Sequence, residues 1–390
     1  MSNHYDVIVV GLGAMGSATL YQLAGRGVKV LGLDQYAPPH NLGSTHGETR
    51  ITRLAVGEGD AYVPLVRRTH EIWRELEAAT GETLLLQSGG LVIAPNSGSA
   101  LFHGVESFVT KAARIARQYG IDHSLLSAAE IRAMLPMLKV NDTEHAIYEP
   151  TGGVVSPERA VAVQLQLAQA RNATVQINEK VLSYRETGDG VTVTTTKGTY
   201  SADKLVLTTG PWLTDLLAAE LHQPFGVYRQ VIYWFEAEDL EPFRLDNFPF
   251  VIWIGDVIED FYTLFPTPDF GTPAVKMLTE EYLDATHPDE VDRTVQPHEI
   301  ERMVDTFIAT KVEGITHRCV DAGVCLYTVT PDEHFIIDWQ PGSQRVLVAS
   351  PCSGHGFKHS AAIGEALAEM ASGGSSTIDM SAFRFERIGL

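Results

Sequence analysis

Residues 5–34 read YDVIVVGLGAMGSATLYQLAGRGVKVLGLD, and this stretch restricts the fold more than any other. Val7, Ile8, Val9 and Val10 form a short β-branched run suited to a buried parallel strand. Gly11, Gly13 and Gly16 follow directly as GxGxxG, and from Met15 to Gly25 the pattern turns helical, with Leu20, Leu23 and Ala24 on one face. Val28 to Leu33 is a second strand that ends at Asp34. Gly11 permits the tight turn, Gly13 lets the backbone approach a pyrophosphate, and Gly16 lets helix and strand pack closely. The helix start, with Met15, offers free N–H groups and a partial positive charge to phosphates. Asp34 stands where an acid accepts hydrogen bonds from a ribose, about 20 residues beyond the glycines. A plain glycine turn would explain GxGxxG alone, but not strand, glycines, helix, strand and acid in order. The stretch therefore binds a dinucleotide, and an acid at position 34 favours FAD or NAD over NADP.

At 390 residues the chain has length for two domains and an ample core. Twenty-nine basic against 49 acidic residues give −20, which disfavours nucleic acid and anionic membrane as partners. No apolar run approaches the ~18 residues of a transmembrane helix. The first strand follows MSNHYD at once, which leaves no room for a signal peptide and suggests a cytoplasmic protein. Cys319, Cys325 and Cys352 are too few and too unevenly spaced for a disulfide framework or a zinc site, so no metal is expected.

Along the chain, QYAPPHNLGSTHGETRITR forms a polar loop after the second strand, on the side where ligands bind. Tyr62 to Ala79 reads as an amphipathic helix, residues 84–94 as strands around Gly89-Gly90, and 101–119 and 127–135 as surface helices. Ser156 caps a helix starting at Pro157. Strands follow at 173–177, 179–185 and 190–196, then a buried strand through Leu205–Leu207. From Val227 aromatic, alternating segments predict a mixed or antiparallel sheet forming one wall of a pocket. A helix near 297–310 closes this region, and residues 345–350 and a helix from about His359 to Ala371 return to the nucleotide unit. The expected fold class is α/β, with a nucleotide domain (1–87, 151–226, 331–390) interrupted by a mixed-sheet substrate domain (88–150, 227–330).

DVIVVGLGAMGSA, PPHNLGSTHGETRITR, GVCLYTVTPDEHFIID and SGHGFKHSAAIGE together resemble the monomeric sarcosine oxidase family, which includes N-methyltryptophan and pipecolate oxidases. The likeness runs almost end to end with motif order and spacing kept. It implies a Rossmann-like, glutathione-reductase-type FAD fold and a monomer. The implied activity is oxidation of a secondary amino acid: a hydride equivalent passes to flavin N5, the imine hydrolyses, and O2 becomes hydrogen peroxide. It also implies FAD bound covalently through a cysteine sulfur at the flavin 8α carbon. Cys325, in GVCLYT, matches that cysteine; Cys352, beside SGHGFK, is its rival, and Cys319 matches no motif.

The resemblance gives Lys358 and Arg53 the substrate carboxylate. A guanidinium grips a carboxylate bidentately and an ammonium completes the charge. A lysine at a helix start opposes the macrodipole, which calls for an anionic partner. For Arg53 the plain alternative is a loop salt bridge with Glu48. Lys276, in AVKMLTEE, matches the lysine that activates oxygen, and its plain alternative is an edge-strand charge. His46 and Arg50 match residues near the flavin ring, Ser44 a cofactor contact, and Tyr262 a cavity-lining aromatic, with Tyr327 in a similar role. Gly354, Gly356 and Lys358 belong to the segment under the flavin pyrimidine. Glu280 falls near the pocket histidine of sarcosine oxidase, and its plain alternative is that Glu280 and Glu281 face water. Rival readings are a flavin amine dehydrogenase with another acceptor, a fructosyl-amino-acid oxidase, and a flavin-binding protein without catalysis, against which Lys276, Arg53 and Lys358 argue.

Overall fold

The computed structural model describes residues 4–97, 101–103, 105–255 and 261–390. Two eight-stranded sheets carry the fold. The parallel run of the first is Thr174–Gln176, Val30–Leu33, His4–Val10 and Thr199–Leu207, in that spatial order. Thr199–Leu207 then serves two neighbours. Its second half pairs in parallel with Val346–Ser350, which in turn takes Ile336–Trp339 antiparallel. Its first half pairs with the hairpin Val181–Thr187 and Gly190–Thr195.

Helices Ala14–Gly25, Tyr62–Thr80, Pro157–Ala170 and Ser360–Gly373 pack together on one face of this sheet. Val7 to Val10 are buried, as a β-branched run covered on both faces requires. A Cβ on Gly364 would lie 2.3 Å from that of Ala18, so the first and last helices can approach only with glycine there.

The second sheet runs Ile315–Val329, Gly226–Ala237, Val275–Thr279, Phe261–Leu264, Phe250–Ile254, Gly90–Pro95, Glu144–Glu149, Ser124–Ser127. All its pairings are antiparallel except Phe250–Ile254 with Gly90–Pro95. This is the mixed, aromatic-walled sheet that the alternation predicts, and it packs Tyr233, Phe235, Trp253 and Phe307 into its own core. A small antiparallel sheet of Arg50–Thr52, Gly153–Val155 and Leu85–Gln87 adds a third layer.

Three local expectations need correction. Residues 101–119 are not one helix: Leu101–Phe102 pairs with Val105–Glu106, and Ser107, at φ +52°, turns the chain before the helix Phe108–Tyr119. That helix lies at the surface with one face buried through Phe108, Val109, Ala112 and Ile115, while Lys111, Arg114 and Arg117 are exposed. Ser156 stands at the helix start, but its side chain makes no capping bond; Pro157, preset for the first turn, opens the helix. The 297–310 helix is α-helical over Pro297–Met303 and π-helical over Val304–Ile308. Among the described residues no helix is long and apolar enough to cross a membrane.

Candidate functional site

A cleft runs along the carboxyl ends of the first sheet's parallel strands, the edge where open α/β sheets bind ligands. Asp34, Tyr36, Glu179 and Trp212 line one end, Gly11, Gly13, Ala14 and Met15 the middle, and Ser44, Arg50, Tyr327, Cys352, Gly354 and Gly356 the other. The glycines behave as their motif requires. Gly11 has φ +86°, and a Cβ there would sit 2.6 Å from the Thr208 carbonyl oxygen. A Cβ on Gly16 would lie 1.7 Å from the Gly11 carbonyl oxygen, so helix and strand meet there. Above Gly13 the nearest atom to a Cβ would be Thr45 Oγ1 at 3.6 Å, which leaves the backbone approachable. Asp34 is buried, and its two carboxylate oxygens accept N–H bonds from Leu12 at 2.7 Å and Tyr36 at 2.8 Å. Its second lone pairs remain for a ligand.

At the far end, Arg53 Nη2 and Lys358 Nζ donate to the same oxygen, Glu58 Oε1, each at 2.9 Å. Lys358 also donates to the His355 carbonyl at 2.8 Å. The plain alternative for Arg53, a salt bridge with Glu48, does not form; Glu48 accepts instead from Trp234 Nε1 at 3.0 Å and Thr272 Oγ1 at 2.8 Å. The anionic partner that Lys358 demanded is therefore internal. Burial alone would raise the Glu58 carboxyl, but Arg53 and Lys358 outweigh it and hold it well below the usual carboxylate range. Burial brings Lys358 down to about 8, against the pull of Glu58. His103 Nδ1 and His355 Nδ1 stand 3.5 and 3.7 Å from the same Glu58 oxygen. Gly57 lets the turn close, because a Cβ there would lie 2.7 Å from the Phe108 ring over which Arg53 is stacked.

His103 Nε2 is 3.3 Å from Glu280 Oε2, and Tyr282 donates its hydroxyl to that oxygen at 2.9 Å. Burial disfavours a charged His103, but Glu280 and Glu58 reverse this and raise its pKa. Glu280 is thus buried rather than facing water, and Glu281 pairs with Arg302. A Cβ on Gly354 would touch His103, Tyr282 and Glu280 within 3.2 Å, so this cluster abuts the cleft wall. On its other side Glu280, Tyr282, Tyr233, Tyr262 and Met303 enclose a cavity of about 310 Å³. Tyr262 reaches it while stacked on Phe307 at 4.2 Å between ring centres.

Lys276 lies on Val275–Thr279, paired on both sides, so it is not an edge-strand charge. Its ammonium donates to the Gly47 carbonyl at 2.7 Å and the Thr49 carbonyl at 2.5 Å. Burial and then Arg50 hold its pKa well below the usual lysine range. Arg50 itself donates to the Ser44 and Thr49 carbonyls, both at 3.0 Å. His46 is driven by burial to about 3 and stays neutral, with Nε2 unpartnered. Ser44 donates to the Leu326 carbonyl at 2.5 Å, which fixes the loop against the strand carrying Cys325.

A model of the family described as FAD dependent oxidoreductase matches residues 6–370. The monomeric sarcosine oxidase of Bacillus sp. (strain NS-129) is 38% identical over 100% of this chain and 98% of its own length. The N-methyl-L-tryptophan oxidase of Yersinia pestis (strain Pestoides F) is 35% identical over 98% of this chain and 99% of its own. This chain belongs to the FAD dependent oxidoreductase family. Solved structures agree on the fold. NikD, described as an unusual amino acid oxidase essential for nikkomycin biosynthesis, superposes with TM-score 0.83 at 23% identity, covering 98% of this chain and 97% of its own. L-proline dehydrogenase from P. horikoshii gives 0.82 at 20% identity, covering both chains fully.

The residues present fit the family's cofactor. An elongated cleft with a helix N-terminus at its middle and an acid at one end suits a dinucleotide. Thr209 Oγ1, at the cleft, is buried with no partner of its own. FAD would be held by Gly11–Met15 and Asp34 at its nucleotide half and by Ser44, Arg50, Gly354 and Gly356 at the other. The two rival cysteines differ in position. Cys352 lines the cleft; Cys325 is 1% exposed on Ile315–Val329, on the same face as Tyr327, which does line it. Burial pushes both thiols up, and at Cys325 Arg50 and Lys276 act against that rise. Cys319 is half-buried and donates to the Asp321 carbonyl. Glu58, His103, Tyr282 and Glu158 belong to no motif read from the sequence. For Glu58 the readable signal was an acid between two glycines beside an apolar Ala55-Val56.

Proposed function

We propose that this chain is an FAD-dependent oxidase of secondary amino acids such as sarcosine-like N-methyl amino acids or cyclic imino acids. One observation carries the reading: a guanidinium and an ammonium converge at 2.9 Å on one oxygen of a buried carboxylate, beside the wall of the nucleotide cleft. Glu58 marks where a substrate carboxylate would be gripped. FAD, when bound, would supply the two-electron acceptor, with O2 as the final acceptor and hydrogen peroxide as the product. Arg53 and Lys358 hold the substrate carboxylate and thereby fix the C–H beside the nitrogen. Their charge also lowers the amine pKa, so the lone pair is free. Lys276 supplies a fixed cation where negative charge develops on oxygen. The cavity bounded by Tyr262, Tyr282 and Glu280 takes the substrate side chain.

The flavin is attached at 8α through Cys325, a reading supported by the shared face with Tyr327 and by Arg50 and Lys276 nearby. The domain formed by segments 1–87, 151–226 and 331–390 binds FAD, and the domain of 88–150 with 227–330 reads the amine. Relatives named monomeric support a monomer. Peroxide release measured across sarcosine, other N-methyl amino acids, pipecolate, proline and fructosyl amino acids tests the assignment. Flavin bleaching by these amines without peroxide would replace the oxidase with a dehydrogenase, and no bleaching by any of them would overturn the reading.

A further inference from the structure

The turn Gly47–Thr49 has charge on both sides. Gly47 and Glu48 are consecutive left-handed residues, at φ +97° and +69°. In this turn the successive N–H groups of Gly47 and Glu48 point to one acceptor and make a concave anion site. Here the occupant is Glu158 Oε1, which accepts from Gly47 N at 2.6 Å and Glu48 N at 3.0 Å. Glu158 comes from the first turn of Pro157–Ala170, where the helix dipole favours an acid. The same turn presents the Gly47 and Thr49 carbonyls to Lys276 on its other side. Glu48 completes the assembly by tying Thr272, ahead of the lysine's strand, and Trp234, the register partner of Lys276. Glycine suits position 47 because its φ of +97° strains other residues, and a Cβ there would press on Ile232 Cδ1 at 2.6 Å.

We propose that Glu158 is a positioning residue for Lys276: it grips two backbone N–H groups and so aims the carbonyls that hold the ammonium. The proposal rests on the oxygen-activating reading of Lys276. The strongest charges acting on that lysine come from several elements. Arg50, from Arg50–Thr52, opposes its charge; Glu158, then Cys325 and Glu48, favour it. His46 is neutral, and the rings of Phe265 and Trp234 stand 4.1 and 5.9 Å from the ammonium. Glu158 is the largest of the groups that keep the proton on Lys276.

The sign follows. Glu158→Gln keeps an oxygen acceptor for the two N–H groups but removes the charge that offsets Arg50. Lys276 then loses its proton at lower pH, and the alkaline fall of flavin reoxidation by O2 moves down by about one pH unit, tenfold in proton affinity. Above that limb reoxidation slows about tenfold, while amine-driven reduction changes far less. Glu158→Asp keeps the charge and returns the limb toward wild type. A readout without turnover is the visible spectrum of bound, oxidised flavin titrated with alkali. A transition abolished in Lys276→Met shifts down in Glu158→Gln. If Lys276→Met leaves reoxidation unchanged, the parent reading fails. If Lys276→Met slows it but Glu158→Gln leaves both the limb and the spectral transition in place, the positioning role of Glu158 is overturned.

Discussion

Lys276 and Lys358 are the buried lysines among the described residues, each 4% exposed, and their surroundings differ. Lys358 contacts a full carboxylate at 2.9 Å, shared with Arg53. Lys276 touches only carbonyl and hydroxyl oxygens directly, and its nearest counter-charges act from beyond a turn of backbone. A buried charge without a partner costs several kcal/mol, so burial lowers both lysines: the first to about 8, against the pull of Glu58, and the second well below the usual lysine range, with no carboxylate in contact. The two environments suit two tasks. A cation compensated by an internal carboxylate can exchange that carboxylate for one on a ligand with little net change in buried charge. A cation held by dipoles has unspent attraction for negative charge that appears only during reaction.

The comparison breaks most sharply at the cysteines, since Cys325 faces the Lys276 side and Cys352 sits on the Lys358 loop. Denatured wild type should stay yellow, and Cys325→Ser should release all its FAD on acid precipitation while Cys352→Ser retains it. The reverse pattern would move the bond to the other lysine's region.

Next in size is the clamp. Arg53→Met or Lys358→Met should weaken a carboxylate inhibitor such as methylthioacetate by about 2–5 kcal/mol, with FAD retained. Glu58→Gln should act oppositely and tighten binding, because it removes an internal competitor. Weaker binding in Glu58→Gln would show that Glu58 orients the clamp rather than occupying the ligand's place. Of similar or smaller size, Lys276→Met should slow reoxidation about 10²–10³-fold. Stopped-flow comparison of both half-reactions checks this; equal slowing of reduction would make the two lysines alike.

The Lys358 pKa adds a pH dependence. Below about 8 in the free enzyme Lys358 carries its proton, so carboxylate affinity should be flat there. Above that point affinity should fall by up to tenfold per pH unit, because the ligand must first reprotonate the lysine. Inhibitor titrations followed by flavin absorbance measure it. A limb that persists in Lys358→Met belongs to another group.

Much of this was legible in the sequence where one residue reports its own environment. GxGxxG announces a backbone path, because only glycine can sit where Cβ would strike Thr208 or the Gly11 carbonyl. Lys358 announced an anion through its place at a helix start, but not which anion. Glu58 supplies it from 300 positions away in the chain, and no local pattern encodes a pairing of that separation. The same limit hid Glu158, whose partners lie 111 and 110 positions earlier. The hairpin before Phe108–Tyr119 was misread for a different reason. Two-residue strands are too short to show alternation, and they leave only apolar content, which helices share.

The smallest effect is expected at Glu280. It lines a cavity of about 310 Å³, proposed above to take the substrate side chain, and its burial leaves that charge less screened than one on the surface. A free carboxylate there would strongly favour substrates ending in a cation or donor. Glu280 is not free, since Tyr282 and His103 already bond one of its oxygens. What is left for a ligand is the second oxygen and a fraction of the charge, about 1 kcal/mol of selectivity. Glu280→Gln should therefore shift the kcat/KM ratio between basic and acidic N-methyl amino acids by less than about tenfold, toward the acidic ones. Because His103 also stands 3.5 Å from Glu58, the substitution should disturb the clamp as well, and sarcosine itself should register a small change in KM. A ratio unchanged in both Glu280→Gln and Glu280→His would reduce Glu280 to a partner of His103. It would also leave side-chain selection to the aromatic walls at Tyr233 and Tyr262.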